Sequence, residues 1–99
     1  MYTRLESSIE HSLRKWVLEQ GLRFVKIQGQ GNRGNPDRAV CFPRSQRILF
    51  MELKKDTGKL SKLQEYVIGR MREEGYAVAV CYTVEEGKDA VQQRLDEGW

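Results

Sequence analysis

The chain has 99 residues, 39% of them apolar and 31% charged, a balance that fits one folded domain with a single modest core and leaves no room for two. That composition excludes a disordered chain, and no stretch is apolar and long enough to span a bilayer. A net charge of +3 is compatible with an anionic partner but too mild to demonstrate one.

The opening residues Met1-Tyr2-Thr3-Arg4-Leu5-Glu6 lack the basic-then-apolar pattern of a leader, so the expected location is the cytoplasm. From about Arg4 to Glu19, Leu5, Ile9, Leu13, Trp16 and Val17 recur at three- and four-residue steps, the period of an amphipathic helix, and Gly21 ends it. Glu6 falls within that apolar stripe and Glu10 on its edge. Either acid could simply suit the positive end of the helix or reach outward to solvent. Leu22 to Ile27 reads as a first strand, with Lys26 a cation set into an apolar run.

The loop Gly29-Gln30-Gly31-Asn32-Arg33-Gly34 matches G-x-G-x-x-G, yet a dinucleotide fingerprint must open a helix whose N-terminus receives the pyrophosphate. Here Pro36 follows, and the chain passes directly into the strand-like Asp37-Arg38-Ala39-Val40-Cys41-Phe42. The glycines instead suit a loop that lets nucleic acid approach the backbone.

Pro43-Arg44-Ser45-Gln46 is turn chemistry, which predicts an antiparallel hairpin of residues 37–42 and 47–54. The second arm, Ile48-Leu49-Phe50-Met51-Glu52-Leu53-Lys54, is apolar on both faces until its end. Alternation sets Glu52 and Lys54 on one face and Leu49, Met51 and Leu53 on the other. The hairpin brings Asp37 beside Glu52, and two adjacent carboxylates stay ionised together most readily with a cation between them, most simply a divalent metal. Cys41 and Cys81 lack companion ligands and read as buried free thiols. Arg33, Arg38, Arg44, Arg47, Lys54, Lys55, Lys59 and Lys62 cluster in or beside this stretch, where they could neutralise phosphates.

Beyond the Asp56-Thr57-Gly58-Lys59 loop, Ser61-Lys62-Leu63-Gln64 is a capping-box pattern that opens a helix to about Glu74, with Leu63, Tyr66, Val67, Arg70 and Met71 as its stripe. Gln64 then has a structural task, returning a hydrogen bond to the Ser61 amide, that stands beside any role in a site. Tyr76 to Tyr82 reads as a strand and Val84 to Leu95 as a closing helix. The order αβββαβα requires a parallel crossover, hence a mixed sheet covered by helices.

Pro36-Asp37, followed after fourteen residues by Glu52-Leu53-Lys54, resembles the PD-(D/E)xK nuclease signature. More closely, the chain resembles a stand-alone VRR-NUC (virus-type replication-repair nuclease) domain of the phage and bacterial sort. Ile9-Glu10, Lys26, Gly31 to Arg38, Phe50 to Lys54 and Leu60-Ser61 with Gln64-Glu65-Tyr66 carry the likeness.

The resemblance implies a restriction-endonuclease-like α/β core and a metal-dependent DNA endonuclease that acts on Holliday junctions or flaps as a homodimer. A catalytically silent DNA-binding module with the same fold is the alternative. By the same likeness Asp37 and Glu52 would hold Mg²⁺ or Mn²⁺ with the Leu53 carbonyl, and Lys54 would orient or activate the attacking water. Glu10, favoured over Glu6 by its spacing to Gly21, would extend the metal shell. Gln64 would lie near the active site. Lys26 would be a basic residue beside it, with Arg33, Arg38, Lys55, Lys59 and Lys62 facing DNA. One departure is Gln28-Gly29-Gln30, where relatives often carry a Ser-Pro-Gly turn.

Overall fold

The computed structural model describes residues 6–27, 33–55 and 57–99, with side chains described from residue 8 onward. The glycine-rich segment 28–32, Asp56 and the Glu6 side chain, which carried parts of the sequence reading, lie outside the described residues.

The first helix, α1 (Glu6–Glu19), is followed by β1 (Arg23–Lys26), β2 (Arg38–Phe42), β3 (Arg47–Leu53), α2 (Lys62–Glu73), β4 (Ala77–Cys81) and α3 (Val84–Asp96). The four strands lie in the order β1-β2-β3-β4. The first three are antiparallel to their neighbours, and β4 joins β3 in parallel after the α2 crossover. This is the mixed sheet that the order of elements requires.

One sheet face carries the core. Phe24, Val40 and Leu49, aligned across β1, β2 and β3, are buried with Phe42, Met51 and Leu53 against Ile9, Leu13 and Val17 of α1 and Val84 and Val91 of α3. The two helices touch closely because position 87 is glycine. A Cβ there would stand 2.7 Å from Leu13 Cδ2, inside van der Waals contact, and Leu13 is fully buried.

The other face is covered by α2 in part only. Ile68 is the buried residue of α2, while Leu63 and Tyr66 are exposed. The stripe expected from Leu63, Tyr66, Val67, Arg70 and Met71 is therefore rotated. The helix packs on β4, so only the part of its apolar stripe that turns toward that strand is covered. Val25 and Ile48 remain exposed; on the outer face of β3, Ile48 is exposed, Phe50 half-buried and Glu52 buried. The expectation of buried thiols is met for Cys81, while Cys41 is half-buried.

The N-terminus of α2 follows from its sequence. Ser61 is the N-cap, its hydroxyl accepting from the Gln64 N–H while Gln64 Oε1 accepts from the Ser61 N–H, the reciprocal capping box. Gly34, with φ +80°, lies against this end of the helix: a Cβ would come within 2.8 Å of Leu63 Cγ. The loop before β2 and the start of α2 are thereby held together.

Candidate active site

The β2–β3 register pairs Arg38 with Met51. One step outward, the same antiparallel register sets Asp37 opposite Glu52 at the end of the sheet. Three features fix Asp37. Pro36 before it is fully buried and restricts the backbone. The Asp37 carbonyl accepts from the Ile27 N–H at 2.9 Å, extending the β1–β2 pairing. Its carboxylate reaches across to β3, where Oδ1 accepts from the Leu53 N–H at 3.3 Å.

Glu52 is 4% exposed, an unusual place for a carboxylate, which must be hydrogen-bonded or paired when taken from water. Its Oε2 accepts from Gln64 Nε2 at 3.0 Å. Gln64 thus performs both of its possible roles at once: its oxygen closes the helix cap and its amide nitrogen holds the acid.

Past the end of β3, the Lys54 N–H donates to the Cys81 carbonyl at 3.0 Å. This bond closes the last β3–β4 pair, Leu53 with Cys81, and alternation carried one residue past the strand sets half-buried Lys54 on the Glu52 side.

Arg38 departs from its expected role. It is 6% exposed and donates from Nε to Glu10 Oε2 at 2.8 Å. Its Nη1 donates to the Asp37 carbonyl at 3.1 Å and lies 3.2 Å from Asp37 Oδ2. This guanidinium is enclosed between two acids, so it is not one of the surface cations that could meet a phosphate. Lys26, Arg33, Lys55, Lys59 and Lys62 are exposed. Glu10 is the hydrogen-bond partner of Arg38, and among the described residues, which leave out the Glu6 side chain, no three His, Cys, Asp or Glu side chains gather in a group able to hold a metal.

A concavity of about 330 Å³ lined by Ile27, Asn35, Pro36, Phe50 and Met71 adjoins these acids through Pro36. Larger concavities lie around Arg47 and Ile48, at the opposite end of β3. The acids therefore lie at the end of the sheet away from the two larger concavities.

A four-stranded mixed sheet with paired acids at its rim, flanked by helices, defines a nuclease-type α/β core. The profile of the VRR-NUC domain matches residues 3–85, and the chain belongs to that family. A solved structure described as a VRR_NUC domain superposes with a TM-score of 0.78 at 26% identity, covering 88% of this chain and 94% of that one. A search of curated proteins returned no match. The family assigns this chain a nuclease domain, with DNA as the implied substrate.

Proposed function

We propose that the chain is a Mg²⁺- or Mn²⁺-dependent, structure-selective DNA endonuclease that cuts branched DNA, a four-way junction or a flap, and acts in repair or recombination as a homodimer. The observation that carries this reading is the facing pair of Asp37 and Glu52, the latter 4% exposed and held by Gln64, in a chain of the VRR-NUC family.

The chemistry of the donors suits a hard divalent cation. Mg²⁺ is commonly held by one or two carboxylates, with waters and substrate phosphate filling the remaining positions, and does not need a cage of three protein acids. Asp37, Glu52 and the Leu53 carbonyl are the groups that would hold it. When bound, such an ion neutralises charge on the phosphoryl oxygens and lowers the pKa of a coordinated water.

The chain's own residues supply the rest. Gln64 keeps the Glu52 carboxylate in one orientation, and the Leu53 N–H does the same for Asp37. Lys54 contributes an ammonium on the Glu52 side, where it stabilises the negative charge that builds up on the attacked phosphate. Exposed Lys26, Arg33, Lys55, Lys59 and Lys62 grip backbone phosphates without reading bases, which leaves DNA shape to decide where cutting occurs. Paired cuts across a junction need two such sites, hence the homodimer.

The test is a cleavage panel of labelled linear, flap and four-way DNA with Mg²⁺, with Mn²⁺ and with EDTA, alongside sedimentation. Metal-dependent cutting of branched DNA by a dimer, lost in Asp37→Ala, is expected. Cutting in EDTA, or undiminished cutting by Asp37→Ala, would overturn the assignment. Binding without cutting would identify a silent DNA-binding module.

A further inference from the structure

Arg38 follows the Pro-Asp pair, and strand alternation turns its side chain toward the face that carries α1. It is buried there, where a guanidinium persists only with its charge and its N–H groups matched. The match is a fork. Nε meets Glu10 on the helix, while Nη1 meets both the backbone carbonyl and the carboxylate of Asp37. One rigid plane therefore fixes the orientation of Asp37 from two directions and ties it to a helix residue 28 positions earlier. Lysine has the charge but not the planar fork, and cannot bond both partners in this way.

We propose that Glu10 is a positioning residue: it anchors Arg38, and the Glu10–Arg38 pair locks the Asp37 carboxylate in the orientation that faces Glu52. Glu10 thus serves the site through Arg38 and does not itself hold the metal. This rests on the reading that Asp37 and Glu52 bind a divalent cation. The observation that points to this role is that Arg38 bridges the two acids, with Nε 2.8 Å from Glu10 Oε2 and Nη1 3.2 Å from Asp37 Oδ2. The locked carboxylate has its own reporter, because Asp37 Oδ1 accepts the Leu53 N–H.

The experiment uses the full chain and two readouts. The first is hydrogen exchange at the Leu53 amide, followed by NMR in metal-free protein, with the Met51 and Val40 amides as internal controls for global opening. Arg38→Met and Glu10→Ala should each speed Leu53 exchange about tenfold over the controls, the scale of a lost charge-assisted hydrogen bond. The double variant should be no faster than either single one, because the two residues act as a unit. Arg38→Lys should resemble Arg38→Met. Glu10→Gln keeps an oxygen for Arg38 Nε and should stay within about threefold of the parent.

The second readout is Mn²⁺ affinity by calorimetry. Asp37→Asn should abolish tight binding, Glu10→Ala should weaken it about tenfold, and Glu10→Gln should change it little. A loss in Glu10→Gln equal to that in Asp37→Asn would make Glu10 a ligand and overturn the proposal. Unchanged Leu53 exchange in Arg38→Met would overturn it as well. If the parent protein binds no Mn²⁺, the metal reading fails, and the Leu53 amide still decides the linkage.

Discussion

The side-chain amide of Gln64 donates to Glu52 Oε2 at 3.0 Å while its oxygen accepts from the Ser61 N–H at 2.8 Å. One side chain thereby couples the start of α2 to the acid of β3. The two bonds can be separated. Gln64→Glu retains an acceptor for the Ser61 N–H but sets a carboxylate oxygen against Glu52, whereas Gln64→Ala removes both contacts. Gln64→Ala should lower stability by about 1 kcal/mol, the value of a cap interaction. Both variants should cut DNA at least about tenfold more slowly, in keeping with the loss of a partner that orients a ligand. Urea unfolding and cleavage rates measured on both proteins check this. Normal cleavage by Gln64→Ala would reduce Gln64 to a cap residue.

Much of this arrangement is legible in the sequence because it rests on local chemistry. Ser61 and Gln64 spell a capping box by spacing alone. The turn Pro43 to Gln46 fixes the hairpin register, and the register sets Asp37 opposite Glu52. Arg38 was not legible. A cation beside an acid in a basic stretch reads as a phosphate contact, and its burial depends on Glu10, a partner that only tertiary packing supplies. Ile68 was missed for a related reason: the period of α2 defines an apolar stripe, but where the helix lies on the sheet decides which part of the stripe is covered.

Two glycines hold helices at distances that a methyl group would break. Gly34→Ala places a Cβ 2.8 Å from Leu63 Cγ and 3.2 Å from the Leu63 carbonyl, at φ +80°, so both strain and overlap oppose it. A loss of about 1–3 kcal/mol is expected. Because α2 carries Gln64, cleavage should fall with it. Gly87→Ala meets the fully buried Leu13, and its overpacking is offset by the roughly 1 kcal/mol that alanine gains in a helix. It should destabilise less and leave cleavage intact. Denaturant midpoints and cleavage rates of the pair distinguish the two.

Cys81 is 1% exposed, and burial, aided by the nearby Glu86 charge, pushes its thiol up from 9.0 to about 12. The folded state thus disfavours the thiolate that the unfolded chain forms freely. Stability from this group is complete below pH 9 and is lost as pH rises toward 12. Between pH 8 and pH 10 the loss should be about 1.4 kcal/mol. Cys81→Ala lacks the group and should lose that much less over the same range. Urea unfolding of both proteins at the two pH values measures the difference, and parallel declines would contradict it.

The burial of Arg38 separates it from the surface cations in a way that salt can read. Lys59 and Lys62 are exposed beside α2, and each phosphate contact they make releases counterions, adding about 0.9 to the slope of log K against log salt. Lys59→Gln with Lys62→Gln should therefore flatten that slope by nearly 2 and weaken binding most at low salt. Arg38→Lys leaves those contacts in place and keeps the buried charge, so its slope should match the parent even where cleavage is lost. Fluorescence anisotropy of a labelled duplex in EDTA, between about 50 and 200 mM salt, gives both slopes. A slope reduced in Arg38→Lys would mean that Arg38 leaves its pocket to meet DNA, and the ion pair with Glu10 would then be a resting state rather than part of the working site.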